Sequence, residues 1–401
     1  MNRFVTLGAA VVLQIGVMKP QAEVDHTTFV GYAKPSSGGG SVTVSSAGEL
    51  ISAAQSSGGR TIKINGSISN ALIVCSSNKH FIGVGTGAKL TQSSFLIKDA
   101  SDIIIQNITM NYPYPGEVKG SDHDNDVIHI EGSSSRIWID HCELYNNYDD
   151  VKKDDYDGLI DLKKGCRQVT ISWNYIHDAW KTSLIGYSDK DNSSDWQISM
   201  HHNLFNNVHS RVPSIRGGVA SVFNNYYLLI PETAINSRQG AKVYCEKNYF
   251  DGVGSGKEED LGYDEGPIGT YYSDNIGFWN SVDNYYVNCK GNQPTNSEST
   301  TDYKPSFMDG KTVIPVADVP EAIKEFAGII GKTKKLKYPE PTRTIRTPQI
   351  VTKNRRATSS ATYTILGMKI LSGRASPANA VHGVSITKEN GKSIVRLNVA
   401  H

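Results

Sequence analysis

Apolar and polar positions alternate with a period of two in short runs along most of the chain, and long amphipathic stretches of 3.6-residue period are missing. Seven runs, "IIIQNITM", "IWIDHCEL", "ISWNYIHD", "ISMHHNLF", "SVFNNYYL", "YCEKNYF" and "VDNYYVN", each carry an apolar or aromatic strand through an Asn or a His. With Asn107, His141, Asn174, Asn203, Asn225, Asn248 and Asn284 as the matched position, the steps are 34, 33, 29, 22, 23 and 36 residues. Short strands at such a spacing, with variable excursions between them, predict the coils of a parallel β-helix, an all-β fold in which each coil stacks on the last. A side-chain amide at a coil corner can hydrogen-bond its copies above and below. Asn107, Asn174, Asn225 and Asn248 therefore read as stacking residues, and His201 and His202 as part of a coil corner rather than as ligands.

One strand-like run, "DGLIDLKKG", holds Asp157 and Asp161, and alternation places both on one face. Solvation would explain one such pair alone. A second pair, Asp124 and Asp126 in "DNDVIHIEG", shares a face by the same parity. If the two strands lie on successive coils, four carboxylates converge, and they repel unless a cation sits among them. Oxygen-only ligands indicate a hard cation, Ca2+ in preference to Mg2+ in an irregular all-carboxylate cluster. Asp149, Asp150, Asp154 and Asp155 read as a solvated loop. Lys181 in "HDAWKTSLIG" and Arg211 and Arg216 in "HSRVPSIRGG" follow, and a metal beside three cations would bind a polyanion through its carboxylates.

Composition adds limits to this picture. The 401 residues, 38% hydrophobic with 37 glycines, suffice for a large core. Residues 332–356 hold nine Lys or Arg against one Glu, a local +8, which leaves the remainder at −7 under a net charge of +1. Basic charge confined to a Pro- and Thr-containing stretch argues against nucleic-acid binding, which spreads it over the folded body. The first 22 residues have a signal-peptide pattern, and no later segment is a membrane span, so a secreted, extracellular, monomeric protein is expected. Five cysteines, none in a CxxC pair, exclude structural zinc, permit one or two disulfides and leave at least one thiol unpaired. The expected organisation is a signal peptide over 1–22, a β-helical catalytic domain over 23–331, a basic linker over 332–357 and a small β module over 358–401.

The stretches "DNDVIHIEGSSSRIWIDHCEL", "YDGLIDLKKGCRQVTISWNYIHDAWKTSLIG" and "HHNLFNNVHSRVPSIRGG" resemble polysaccharide lyase family 1, the pectate lyases, and the similarity spans roughly residues 30 to 290. The resemblance implies a right-handed parallel β-helix that cleaves α-1,4-linked polygalacturonate by β-elimination with Ca2+. It implies calcium binding by Asp126, Asp157 and Asp161, with Asp124 at a ligand position that varies among members. Lys181 matches a substrate-carboxylate lysine, Arg211 the proposed general base, and Arg216 a substrate-binding or supporting arginine. Retention of the calcium aspartates favours de-esterified substrate over methyl-esterified pectin. "WIDH" and "HHN" match scaffold motifs, so Asp140, His141, His201 and His202 carry no expected catalytic role.

Two other readings make different predictions. A glycoside hydrolase on the same fold would use paired carboxylates and form no double bond; a calcium-stabilised binding solenoid would not need Arg211. Beyond the linker, alternating apolar residues around "ENGK" predict a small antiparallel module. It reads either as a hairpin capping the β-helix or, through "LGMKI" and a final basic strand, as similar to C-terminal sorting modules of a Gram-negative secretion pathway.

Overall fold

The computed structural model describes residues 24–36, 39–116, 125–149, 151–163, 165–254, 265–308 and 313–338, together with four backbone strands between 363 and 399. The expected signal peptide, Asp124, and most of the basic stretch beyond 338 lie outside the described residues. The chain divides into two compact units at Glu340/Pro341.

Three parallel sheets of ten, eight and nine strands run through the first unit, and successive coils contribute one strand to each. Aliphatic positions fall in register from coil to coil: Ile103, Ile137, Val169, Ile198, Ala220 and Val243 form one inward column of the ten-stranded sheet. A single coil has nothing to bury this column against, so the stack supplies the core. The helix Ala47–Gln55 closes one end, placing Leu50, Ala53 and Ala54 over the first coils.

The corner asparagines form a ladder, with a correction to the matched column. Asn174, Asn203, Asn225 and Asn248 each donate a backbone N–H, at 2.9–3.1 Å, and a side-chain Nδ2 hydrogen, at 3.0 Å, to the Oδ1 of the next; Asn284 ends the series. Cys142, not His141, precedes Asn174 in register, because its N–H reaches Asn174 Oδ1 at 2.8 Å. Asn107 and His141 stand one position earlier, in a left-handed backbone column continued by Trp173, His202, Asn224, Lys247 and Asp283, with φ between 48° and 57°. His202 stacks on Trp173 with ring centroids 4.3 Å apart, and His201 Nε2 donates to the Val30 carbonyl at 3.0 Å, so both histidines are structural. All five cysteines are free; no disulfide forms.

Residues 332–338, expected to begin the linker, dock instead on the nine-stranded sheet. Lys332 pairs with Glu143, Lys337 pairs with Asp149 and, at 2.7 Å, with Asp178, and the Lys335 carbonyl accepts from Tyr175 Oη at 2.6 Å. Beneath this segment His177 Nδ1 lies 2.7 Å from Asp178 and Nε2 3.6 Å from Glu143. Burial pulls the imidazole down, but the two carboxylates outweigh it and raise His177 above its ordinary value. A raised folded-state value means the contribution to stability is complete below the unfolded value of about 6.5 and lost as pH rises through the folded one. His177→Gln should therefore lower the unfolding midpoint more at pH 6 than at pH 9; an equal loss at both would refute this account.

Among its described residues the second unit holds two antiparallel pairs, Tyr363–Ile365 with Met368–Ile370 and Val381–Glu389 with Lys392–Val399. Glu389 pairs with Lys392, the ends of the "ENGK" run. Among the described residues no helix is long and apolar enough to cross a membrane.

Candidate active site

Asp126, Asp157 and Asp161 converge, each with a carboxylate oxygen within 4.8 Å of the others. They sit on the outer face of the eight-stranded sheet, where Ile128–Glu131 pairs with Ile160–Leu162 and His129 lies opposite Asp161. Simple alternation does not bring them there. The strand over "DGLIDLKKG" is only Ile160–Leu162, and Leu159 and Ile160 both enter the core, as do Val127 and Ile128 one coil earlier. Two successive inward residues reverse the parity at each strand entry, so Asp126 shares the outer face with His129, and Asp157 approaches from ahead of its strand.

Gly158 makes the approach possible. A Cβ there would lie 1.9 Å from Asp161 Oδ1, so any side chain would expel that carboxylate. Its N–H also donates to Asp126 Oδ1 at 2.9 Å. Asp161 Oδ1 accepts from the Leu184 N–H at 2.9 Å, while Oδ2 is buried without a hydrogen-bond partner. Burial first, then the charges of Asp126 and Asp157, push the Asp161 carboxyl well above the ordinary carboxylate range. An orphaned oxygen facing two further carboxylates is the donor set of a hard cation, and the residues fit calcium in chemistry.

Cationic side chains meet this cluster at Asp157. Its Oδ1 lies 3.4 Å from Lys181 Nζ and 3.6 Å from Arg211 Nη1. Lys181 ends the strand Tyr175–Lys181 of the nine-stranded sheet and also pairs with Asp154 at 2.9 Å, so this loop acid is engaged although exposed. Arg211 has a left-handed backbone, φ 62°, pinned on both sides: its carbonyl accepts from Ser183 at 2.7 Å and Val212 N–H donates to Ala234 at 3.0 Å. Arg216 is mostly committed, donating Nε to Asp189 at 2.7 Å and Nη1 to the Gly186 carbonyl at 2.6 Å.

Three further residues belong to the surroundings and were not singled out from sequence. His129 donates Nδ1–H to Asp126 Oδ2 at 2.8 Å. Arg238 stands beside Arg216 in the next coil, and burial followed by the Arg216 charge lowers it to about 10. Asp189 lies between the two guanidiniums, 3.6 Å from Arg238 Nη2. Arg238 was within reach of the sequence, since the 22-residue step from Asn203 to Asn225 carries Arg216 onto it. His129 and Asp189 left no such signal.

Comparison with known proteins accords with this geometry. Residues 30–317 match the family described as pectate lyase. A pectate trisaccharide-lyase of Bacillus licheniformis is 36% identical over 338 residues, 81% of this chain and 92% of its own. Pectate lyase plyB of Emericella nidulans is 35% identical over 57% of this chain and 68% of its own. Among solved structures, a Bacillus pectate lyase in complex with trigalacturonate superimposes with a TM-score of 0.67 at 33% identity, over 75% of this chain and 99% of that one. Pectate lyase II of Xanthomonas campestris does so with a TM-score of 0.62 at 28% identity, over 75% and 98%. With three parallel sheets wound as a right-handed β-helix and this extent of shared sequence, the chain belongs to the pectate lyase family.

Proposed function

We propose that the protein cleaves de-esterified polygalacturonate by calcium-dependent β-elimination, giving 4,5-unsaturated oligogalacturonides. The observation that carries this reading is the buried, unpartnered Asp161 Oδ2 within a cluster of three carboxylates that meets Lys181 and Arg211. Asp126, Asp157 and Asp161 would hold the cation, with Asp124 as a further candidate ligand. Calcium, when bound, acts as a Lewis acid on a uronate carboxylate and acidifies the neighbouring C5 proton.

Lys181, at the rim of the cluster, binds the same substrate carboxylate and stabilises the charge that spreads onto it as the C5–H bond breaks. Arg211, once it has given up its own proton to solvent, accepts the C5 proton; the C5–H electron pair forms the C4–C5 double bond, the C4–O4 bond breaks, and the leaving sugar's O4 takes a proton from water. A guanidinium resists deprotonation, and Asp157 Oδ1 lies 3.6 Å from Arg211 Nη1. Arg216, tied to Asp189 and Gly186, supports the site from the neighbouring coil. One chain carries the whole constellation, in keeping with a monomer, and the N-terminal pattern supports export.

Elimination produces a conjugated unsaturated uronide, which hydrolysis does not. Ultraviolet absorbance during incubation with polygalacturonate should rise with calcium and stay flat with a chelator. New reducing ends without absorbance would make the protein a hydrolase; neither signal would make it a binding solenoid.

A further inference from the structure

The Asp126 carboxylate is held from two directions. Oδ1 accepts the Gly158 peptide N–H of the next coil at 2.9 Å, and Oδ2 accepts from His129 Nδ1 at 2.8 Å. A carboxylate oxygen can only accept, so in this contact the imidazole carries its hydrogen on Nδ1. His129 is fully buried, and its strand partner in the next coil is Asp161. Its other nitrogen, Nε2, lies 3.6 Å from Glu131 Oε2, and Glu131 Oε1 is itself paired with Lys98 at 2.9 Å. The ring thus stands against two of the three clustered carboxylates on a strand whose inward positions are Ile128 and Ile130.

An imidazole has no packing advantage over an aliphatic side chain in a buried site, and its polar atoms must be desolvated. The terminal torsion of an Asp side chain is broad and roughly two-fold, so one hydrogen bond to one oxygen leaves the carboxylate plane loosely defined. Repulsion from Asp157 and Asp161, each with an oxygen within 4.8 Å, would turn a loosely held Asp126 away from the cluster. Donors on both oxygens prevent that rotation. The i,i+3 contact exists because Val127 and Ile128 both point into the core, which returns residue 129 to the face of residue 126.

We propose that His129 is a positioning residue of the cation site, an Nδ1–H donor that locks the Asp126 carboxylate toward Asp157 and Asp161 and thereby sets calcium affinity. The inference rests on the calcium reading above and concerns a residue that touches neither substrate nor reacting atoms. It resembles the outer-shell partners that orient metal ligands, whose loss costs about 10- to 100-fold in affinity.

The test is calorimetric titration of calcium into the metal-stripped full-length protein, without substrate. In His129→Leu the donor is lost at similar bulk; in His129→Asn, Nδ2 is bonded to Cγ as the ring Nδ1 is, so the donor returns to the same place. His129→Leu should raise the calcium Kd about 10- to 100-fold, and His129→Asn should stay within about threefold of the original chain. If the leucine variant does not fold, His129→Ser, too short to reach Asp126, takes its place. Binding by the donor-less variant as tight as the original overturns the inference, as does equal weakening in both variants, which would indicate bulk rather than the donor. If the unmutated chain itself binds no calcium, the calcium reading fails and takes this inference with it.

Discussion

Arg211→Lys is expected to lower kcat on polygalacturonate by about 10²- to 10⁴-fold, the contribution of one positioned proton acceptor, with calcium affinity and unfolding midpoint nearly unchanged. Lysine keeps the charge but replaces a planar fork with a flexible point charge, which cannot present the same atom to C5. The geometry supports separating chemistry from binding. Arg211 touches the cluster through a single 3.6 Å contact to Asp157 and takes its position from backbone bonds to Ser183 and from the Val212–Ala234 pair. Initial rates of unsaturated product, set beside calcium titration of the same sample, provide the measurement. A rate within tenfold of the original would remove Arg211 as the base. Loss of calcium binding in parallel would make it part of the metal site instead.

The second large effect falls on the metal itself. Asp161→Asn should weaken calcium binding by more than about 100-fold, beyond what loss of an outer-shell partner costs, and abolish calcium-dependent turnover. The same substitution should raise the unfolding midpoint of the metal-free protein. Asp161 is fully buried and faces two like charges, with one oxygen unpartnered. An amide keeps the bond from Leu184 through its oxygen and can donate from its nitrogen toward Asp126 or Asp157. A residue that destabilises the empty site and is required for binding is what a cation site exhibits when its ligands have been selected for function over stability. Calorimetry and thermal unfolding with a chelator test the two halves separately. A metal-free variant less stable than the original would mean that Asp161 supports the fold and that its raised carboxyl is not under electrostatic strain.

The carboxylate cluster and the arginine it meets were legible in the chain because their residue types are unusual in and beside strands. Asp157 precedes a strand and Asp161 lies within it, and Asp126 leads into the paired strand one coil earlier. The reason first offered for their convergence, strict alternation, does not operate. The doubled inward residues Val127–Ile128 and Leu159–Ile160 decide the face, and only packing against the interior reveals that both of two adjacent apolar side chains turn in. In the structure the missing Cβ of Gly158 is the space that the Asp161 carboxylate fills.

The sequence by itself determined the architecture, since every coil repeats the same problem of burying one inward column and bonding one corner. Such a pattern is local enough to be read from spacing. The tertiary structure alone decided what depends on register between coils, because loops of different length separate the strands and a shift of one residue changes every partner. That shift separates the asparagine ladder from the column of Asn107 and His141, and the placement of the coils leaves all five cysteines unpaired. Inter-coil contacts likewise draw Arg216 and Arg238 together around Asp189. They lay residues 332–338 along the nine-stranded sheet, where Glu143 and Asp178 neutralise lysines that in the sequence looked like a free linker. Charge in a sequence has a sign and a position; which opposite charge it meets is a property of the stacked coils.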